Sequence, residues 1–418
     1  MYLYWLKLTG RIRSNRPLLT LLMLDFSGIL LFFTPGYLVS LIIFTATFAL
    51  FSLGLNLQWG FTGLINFGHI AFMTVGAYTT VLVSMKGVPL ILAVLIGACL
   101  AAGLGLLIGL STLRLREDYL AIVTIGVSEV IRLIALNEEW LTQGARGVYS
   151  YPLPLEALTR PTLISKIGMI GIWTAIFALA GWQLWRWTWK RLDRLGQKDT
   201  REGIQSGQIG KLSLGIATAI LGLLLYWAGA VSLYDYSYKA GLMLVLVLVL
   251  ALVYWRLEAL VRSPWGRVLK AIREDEEIAK ALGKNVFWYK LQSLMLGGAI
   301  AGIAGAFYAW QLSFINPDGF IPLITFQAWT IVVLGGAGNN AGTLLGAAIF
   351  WAYNSVTRFL LPAIAPALHA IVPAIPPTLD EGRAGAFRIM IIGLLLIVLM
   401  MARPQGILGK KEELSLGR

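Results

Sequence analysis

A chain of 418 residues that is 58% hydrophobic and only 13% charged, with mean hydropathy +0.75, is too apolar for a soluble domain of any size. Its formal charge of +13 points away from nucleic acid and toward basic residues held on one side of a membrane. A single cysteine, Cys99, excludes an intramolecular disulfide framework or a thiolate cluster, and two histidines far apart, His69 and His369, leave no His-rich metal site.

Backbone groups left unpaired in hydrocarbon are costly, so such a chain spans as helices or as a closed barrel, and these apolar runs are too long and unbroken for barrel strands of about 10 alternating residues. The expected fold is an all-α polytopic membrane protein. Its 45 glycines suit close helix contacts and a bundle with interrupted or re-entrant helices. Cys99, in the apolar run LIGACLAAG, reads as a small buried residue.

An N-terminal arm, residues 1–17, carries Lys7, Arg11, Arg13 and Arg16 before an apolar stretch that begins at Leu18. The charge order is that of a signal peptide, but the stretch lacks a small-residue cleavage site and many spans follow, so it reads as a retained first helix. Further spans are expected at 37–57, 66–84, 89–111, 118–136, 163–185, 212–232, 238–256, 288–312, 325–337, 341–360 and 386–402. They make up a transmembrane domain over 18–403 and leave a tail at 404–418. Lys and Arg concentrate in the N-terminal arm, at Arg114 and Arg116, in a linker at 186–211, in the segment from Ser263 to Gly283, and in the tail. The connections NEEWLTQGARG, SLYDYSY, SFINPDGFIP and AIPPTLDEGRAG are acidic, aromatic or Pro-rich. An even number of crossings, about twelve, places every basic segment and both termini in the cytoplasm.

Polar features interrupt these spans in order. In GLINFGHIAF, Gly60, Gly63 and Gly68, with Gly76 beyond, permit close approach or unwinding, while Asn66 and His69 put polar groups into an apolar stretch and need partners there. For His69 three roles stand open: an interhelical hydrogen bond, contact with a translocated molecule, or an interfacial role. The linker WQLWRWTWKR interleaves Trp with Arg and Lys, as an interfacial belt against membrane lipids does.

The stretch SPWGRVLKAIREDEEIAKALG (Ser263 to Gly283) carries charges of both signs between two apolar spans. Val268, Ile272, Ile278 and Leu282 form an imperfect apolar stripe. Lys270 with Glu274, and Glu276 with Lys280, stand four apart, as supporting helix pairs do. Pro264 fits a first turn and Gly283 a helix end. The segment reads as one or two short cytoplasmic helices, either an element pushed by a peripheral partner or a solvated loop.

Gly298, Gly302 and Gly305 clear one face of the next span for packing or for a pathway. Asn316, Pro317 and Asp318 end that span or meet a docking protein. GGAGNNAG, opening with Gly335 and Gly336, lacks the Lys that would reach a phosphate and reads as a break between helices. No HExxH or GxSxG is present, so no catalytic or metal-binding residues are expected. Transport by such a chain must use a gradient or ATP hydrolysis borrowed from a partner.

Five blocks in order, GLNLQWGFTGLINFGHIAFMTVGAY, SPWGRVLKAIREDEEIAKALGKN, YKLQSLMLGGAIAGIAGAFYA, TIVVLGGAGNNAGTLLGA and FRIMIIGLLLIVLMMARPQGILG, resemble the M-type permease subunit of the branched-chain amino acid importers of the ATP-binding-cassette class. Close relatives in that family include permeases for neutral amino acids and for urea. The resemblance implies that 257–287 is a coupling loop seated in a cleft of a cytoplasmic ATPase, with Gly266, Arg267, Ala271, Arg273, Glu274, Asp275, Glu276, Ala279 and Gly283 as its coupling residues. It implies a pathway shared with a homologous second permease, two ATPase subunits holding ATP and Mg, an external amino-acid-binding protein, and residence in the cell inner membrane. Asn66, Gly68, His69, Gly298, Gly302, Gly305, Gly335 and Gly336 are the candidates for pathway or packing. Few ionisable residues lie mid-span, so backbone dipoles and small polar groups are the expected contacts for a zwitterion. Urea is the alternative cargo, and a gradient-driven transporter or channel the alternative class. The linker at 186–211 and the Pro-rich segment at 362–382 exceed what a minimal member needs.

Overall fold

The computed structural model describes residues 34–113, 117–156, 161–196, 222–371, 376, 380–403 and 405–409. The expected first span from Leu18, Arg114 and Arg116, the linker beyond Gly196, and the tail beyond Gly409 lie outside them. Among the described residues, eight helices are long and apolar enough to cross a membrane, and three shorter apolar helices accompany them. The chain is an all-α polytopic membrane protein.

Helix α1 (Pro35–Leu55) runs directly into a π-helical turn, Asn56–Phe61. Next come α2 (Ile70–Met85), α3 (Leu90–Thr112) and α4 (Glu117–Asn137). A short two-residue strand, β1 (Val148–Tyr149), precedes α5 (Leu163–Gly196) and α6 (Gly222–Tyr234). Helix α7 (Tyr238–Arg262) leads into the polar pair α8 (Pro264–Glu274) and α9 (Glu276–Ala281). The long α10 (Val286–Leu312) follows, then β2 (Phe314–Ile315), α11 (Leu323–Gly335), α12 (Asn340–Ile371) and α13 (Glu381–Ala402).

Several expected boundaries move. The span expected at 66–84 begins only at Ile70, because residues 64–67 leave helical geometry after Gly63 turns at φ +82°. Residues 186–196 continue α5 instead of opening a loop, since Trp, Lys, Arg and Leu all sustain a helix. Helix α12 passes through Pro362 and Pro366; proline already holds a helical φ, and membrane helices absorb the lost hydrogen bond. Cys99 is exposed, not buried, because α3 turns most of its surface outward.

The described residues form two compact units, one within 34 and 352–398 and the other within 35–351 and 399–409. Within the first, the Tyr353 hydroxyl donates to the Arg388 carbonyl at 3.2 Å. Ile389, Met390, Leu394 and Ile397 of α13 stand exposed, as lipid-facing side chains do.

In the second unit, α1, α2 and α3 close around α10 through glycines. A Cβ on Gly54 would lie 2.5 Å from the Gly297 carbonyl oxygen, and one on Gly76 would lie 2.2 Å from that of Gly302. Contacts of Gly105 with Leu294 and Gly109 with Leu291, against Gly302 with Ala98, make α3 antiparallel to α10. Such backbone-to-backbone approach is available only without side chains.

The two ends of this unit differ in chemistry. At one, β1 pairs antiparallel with β2, Tyr151 donates to the Ala309 carbonyl at 2.5 Å, and Tyr238 donates to that of Trp310 at 3.0 Å. These bonds gather NEEWLTQGARG, SLYDYSY and SFINPDGFIP. At the other lie α8, α9 and the segment Gln405–Gly409. Among the described residues of this unit, three acidic or aromatic connections thus share one end, and the charged pair α8 and α9 lies at the other.

Candidate functional site

The polar residues of the α1–α2 break satisfy one another. The π turn widens the end of α1, and Thr62 closes it by donating to the Leu57 carbonyl at 3.0 Å while lying 2.7 Å from the Ser293 hydroxyl. Gln58 donates to the Leu294 carbonyl on α10 at 3.1 Å and accepts from the Asn66 amide at 2.8 Å. Asn66 in turn accepts from the Gly68 backbone at 2.9 Å, and its carbonyl accepts from the Trp329 indole at 3.1 Å. Helix α2 starts inside the unit, where the Ile70 N–H would be orphaned; Thr325 of α11 supplies its hydroxyl at 3.0 Å.

His69 is fully buried, 3.1 Å from the Phe51 carbonyl through Nε2. A carbonyl only accepts, so Nε2 carries the proton. The ring lies between Phe51 and Phe72, with centroids at 4.7 and 5.6 Å.

The glycines named as pathway or packing candidates all meet neighbours closely. A Cβ on Gly68 would lie 1.8 Å from the Thr124 carbonyl oxygen, and one on Gly305 would lie 2.1 Å from that of Met73. One on Gly298 would press on the Phe72 ring at 3.1 Å, and one on Gly302 on the Ala101 methyl at 2.8 Å. A Cβ on Gly335 would lie 2.1 Å from the Gly342 carbonyl oxygen, and Gly336 turns at φ +109°. With Asn66 and His69 buried as well, these residues hold α1, α2, α3, α4, α10, α11 and α12 against each other within one chain.

The polar segment between α7 and α10 folds as two helices. Pro264 occupies the first turn of α8, where its missing N–H costs nothing. Asp275 breaks the helix in extended geometry and caps α9, accepting from the Ile278 N–H at 2.9 Å. Gly283, at φ +75°, ends α9, and the Lys284 N–H returns to the Ala279 carbonyl at 3.1 Å. Val268, Ile272, Ala279, Val286 and Tyr289 form the apolar seat beneath the pair. Ile278 and Leu282, expected in the same stripe, are 60% and 73% exposed, because the break at Asp275 rotates α9 relative to α8.

The coupling candidates therefore separate by position. Arg267, Ala271 and Glu274 are exposed on α8, with Ile278 and Leu282 beyond them. Gly266 is buried, and a Cβ there would lie 2.2 Å from the Val261 carbonyl oxygen. Ala279 is buried too. Glu276 binds the buried Lys290 at 2.5 Å and Lys280 at 3.0 Å. Burial pushes the Glu276 carboxyl up, but the hydrogen bonds from Lys290 and Lys280 outweigh it and hold the carboxyl below its usual range. Lys270 sits over the Phe61 ring at 5.7 Å, and Arg273 donates to the Gly60 carbonyl.

A joint lies under α8. The Asn56 amide donates to Asn340 at 3.1 Å and its oxygen accepts from the Gly338 N–H at 2.9 Å; Asn340 donates to Glu258 at 3.2 Å. Residues Gln405–Gly409 cover the Gly336–Asn340 turn. The Ile407 and Leu408 N–H groups donate to the Leu334 and Gly335 carbonyls at 3.1 and 3.0 Å, and Asn339 donates to the Leu408 carbonyl at 2.9 Å.

Sequence reasoning overlooked Asn56, Gln58, Thr325 and Asn340, whose partners are distant in the chain. It also overlooked a charged pair on the expected span 118–136. Arg132 binds Glu129 at 2.6 Å and Asp318 at 3.3 Å. Opposite charges three apart in an apolar helix were a legible signal.

A protein-family profile described as "Branched-chain amino acid transport system / permease component" matches residues 37–190 and 195–400. The chain is 28% identical over 366 residues to the high-affinity branched-chain amino acid transport system permease protein LivM of Escherichia coli (strain K12), covering 87% of this chain and 68% of that one. It is 25% identical to the probable branched-chain amino acid transport permease protein LivM of Methanocaldococcus jannaschii, covering 87% of this chain and 91% of that one. A shorter likeness, 26% over 151 residues, joins 36% of this chain to 41% of LivH, another high-affinity branched-chain amino acid transport system permease protein of E. coli K12. No solved structure matches the chain.

Proposed function

Because the chain belongs to the family of branched-chain amino acid transport permease components, we propose that it is the permease subunit of an ATP-driven, binding-protein-dependent importer of branched-chain or other neutral amino acids. One observation carries the ATP-driven reading: a helix pair seated on the unit by its apolar side, with Arg267, Ala271, Glu274, Ile278 and Leu282 turned outward. Two cytoplasmic ATPase subunits, holding ATP and Mg, dock on that outward side. Their motion displaces α8 and α9 and, through them, the bundle. The cargo undergoes no covalent change. This chain binds no nucleotide of its own.

A homologous permease completes the pathway, a reading supported by the likeness to both LivM and LivH proteins. The buried polar break holds this chain together, so the cargo path runs along a surface shared between the two permeases. The end formed by β1, β2 and Asp318 faces outward and receives a soluble amino-acid-binding protein. The end bearing α8, α9 and residues 405–409 faces the cytoplasm, in keeping with the basic side, and the protein resides in the inner membrane with both termini inside.

The test is uptake of labelled leucine by the reconstituted complex, with its binding protein outside, ATP supplied on the cytoplasmic face and ion gradients collapsed. Uptake that needs ATP hydrolysis supports the proposal. Uptake that persists without ATP and follows an ion gradient would sink it.

A further inference from the structure

Unlike Arg267 and Glu274, which are exposed, Arg273 points into the membrane unit, on the side where Lys270 lies over the Phe61 ring. Its guanidinium donates to the Gly60 carbonyl in the π turn. Two glycines with positive φ flank it, and Gly338 makes room for it. A Cβ on Gly63, at φ +82°, would lie 3.4 Å from its Cγ, and one on Gly338, at φ +78°, would lie 2.6 Å from its guanidinium. Gly63 and Gly338 belong to segments far apart in the chain, yet both lie against the same side chain. An arginine is always charged and planar, so a half-buried one fixed by a carbonyl ties its helix to that carbonyl far more rigidly than a surface contact does.

The bond leads somewhere. Gly60 lies two residues from Gln58, which holds α10 at the Leu294 carbonyl and accepts from Asn66. Asn66 accepts from the Gly68 N–H at the approach to α2. We propose that Arg273 is a positioning residue for coupling: it transmits displacement of α8 through the π turn to the buried start of α2, and it does not form part of the surface that meets the ATPase. This rests on the importer reading above, with Arg267 and Glu274 left as docking residues.

The experiment compares Arg273→Ala, Arg273→Lys and Arg267→Ala in the complete complex, measuring ATPase co-purification, KM for ATP, and amino acid imported per ATP hydrolysed. For Arg273→Ala the expected result is normal co-purification and KM, with import per ATP reduced about fivefold or more. Arg273→Lys, which keeps the charge and one donor, is expected to restore part of the coupling. Arg267→Ala is expected to weaken co-purification instead. Wild-type coupling in Arg273→Ala, or loss of the ATPase from it, overturns the proposal.

A second measurement needs no transport. In a Cys99→Ser background, spin labels at Ala271 on α8 and Lys86 at the far end of α2, both exposed, report the distance between the two helices in the isolated chain. The expected result is one narrow distribution with Arg273 present and a broader or shifted one with Arg273→Ala. An unchanged distribution overturns the tie between the helices, whatever the fate of the importer reading.

Discussion

Gly305→Ala distinguishes packing from pathway at a single methyl group. The new Cβ would lie 2.1 Å from the Met73 carbonyl oxygen, 2.9 Å from the Ala77 nitrogen and 3.0 Å from the Met73 carbonyl carbon. All three are backbone atoms of α2, so no side chain can rotate away. Helices α2 and α10 must separate by roughly an ångström, and overpacking of this kind costs about 1–3 kcal/mol. Gly103→Ala on α3 is the control, since a Cβ there meets nothing within 4 Å and Ala favours a helix over Gly by up to about 1 kcal/mol. Because that gain is common to both helices, the two variants should differ by the overpacking cost alone, about 1–3 kcal/mol, with Gly305→Ala the less stable. Denaturation in reconstituted bilayers reads the difference, and the KM for amino acid in the surviving complex should stay unchanged. Equal stability of the two variants, with a raised KM in Gly305→Ala, would refute the packing role and place Gly305 on the pathway.

The other predictions concern the break and the helix pair. Thr325→Val removes the acceptor of the buried Ile70 N–H and should cost about 1–3 kcal/mol in the same denaturation assay, while Thr325→Ser should cost much less. Glu276→Gln removes a counter-charge of Lys290; with the carboxylate about a third exposed, the loss should be about 1–2 kcal/mol. Because the folded Glu276 carboxyl titrates below its ordinary value of 4.5, the wild-type contribution is complete above that value and fades as pH falls through the lower folded value. Melting followed from about pH 6 to pH 3 should show this component in the wild type and not in Glu276→Gln. Gly283→Ala places a Cβ in a left-handed turn with open space around it, so strain alone should cost about 1–2 kcal/mol, and Gly283→Asn should recover most of it. Co-purification with the ATPase partners should fall and recover in parallel.

The spans and the polar helix pair were legible because they depend on local signals. Apolar runs bounded by charge marked α7 and α10, and Pro264 and Gly283 each sit where their own backbone chemistry directs. What depended on distant partners was not legible. Nothing near His69 announces that its ring reaches the carbonyl of Phe51, and nothing near Thr325 announces that it caps a helix that begins at Ile70. The outward turn of Ile278 and Leu282 was misjudged because one helical period was carried across Asp275, where the chain becomes extended. The expected span ended at 360 and left 362–382 as a Pro-rich segment, whereas the helix runs on to Ile371, since within a membrane helix a proline can be accommodated without ending the element. The docking of Gln405–Gly409 lay furthest from reach, since its backbone bonds to Leu334 and Gly335 use atoms that every residue possesses.

That last contact has a bearing on how the protein is made. The turn from Gly336 to Asn340 leaves the ribosome well before the five residues that cover it, with α12 and α13 synthesised in between. During that interval the Leu334 and Gly335 carbonyls and the Asn339 amide lack their eventual partners, even though α8 and α9, made earlier still, are already able to form. The joint is thus finished only when translation has passed Gly409. A nascent chain stalled or truncated before Gln405 would carry its helices but not the closed turn, and so would present membrane proteases and chaperones with a defect at the end that carries α8 and α9.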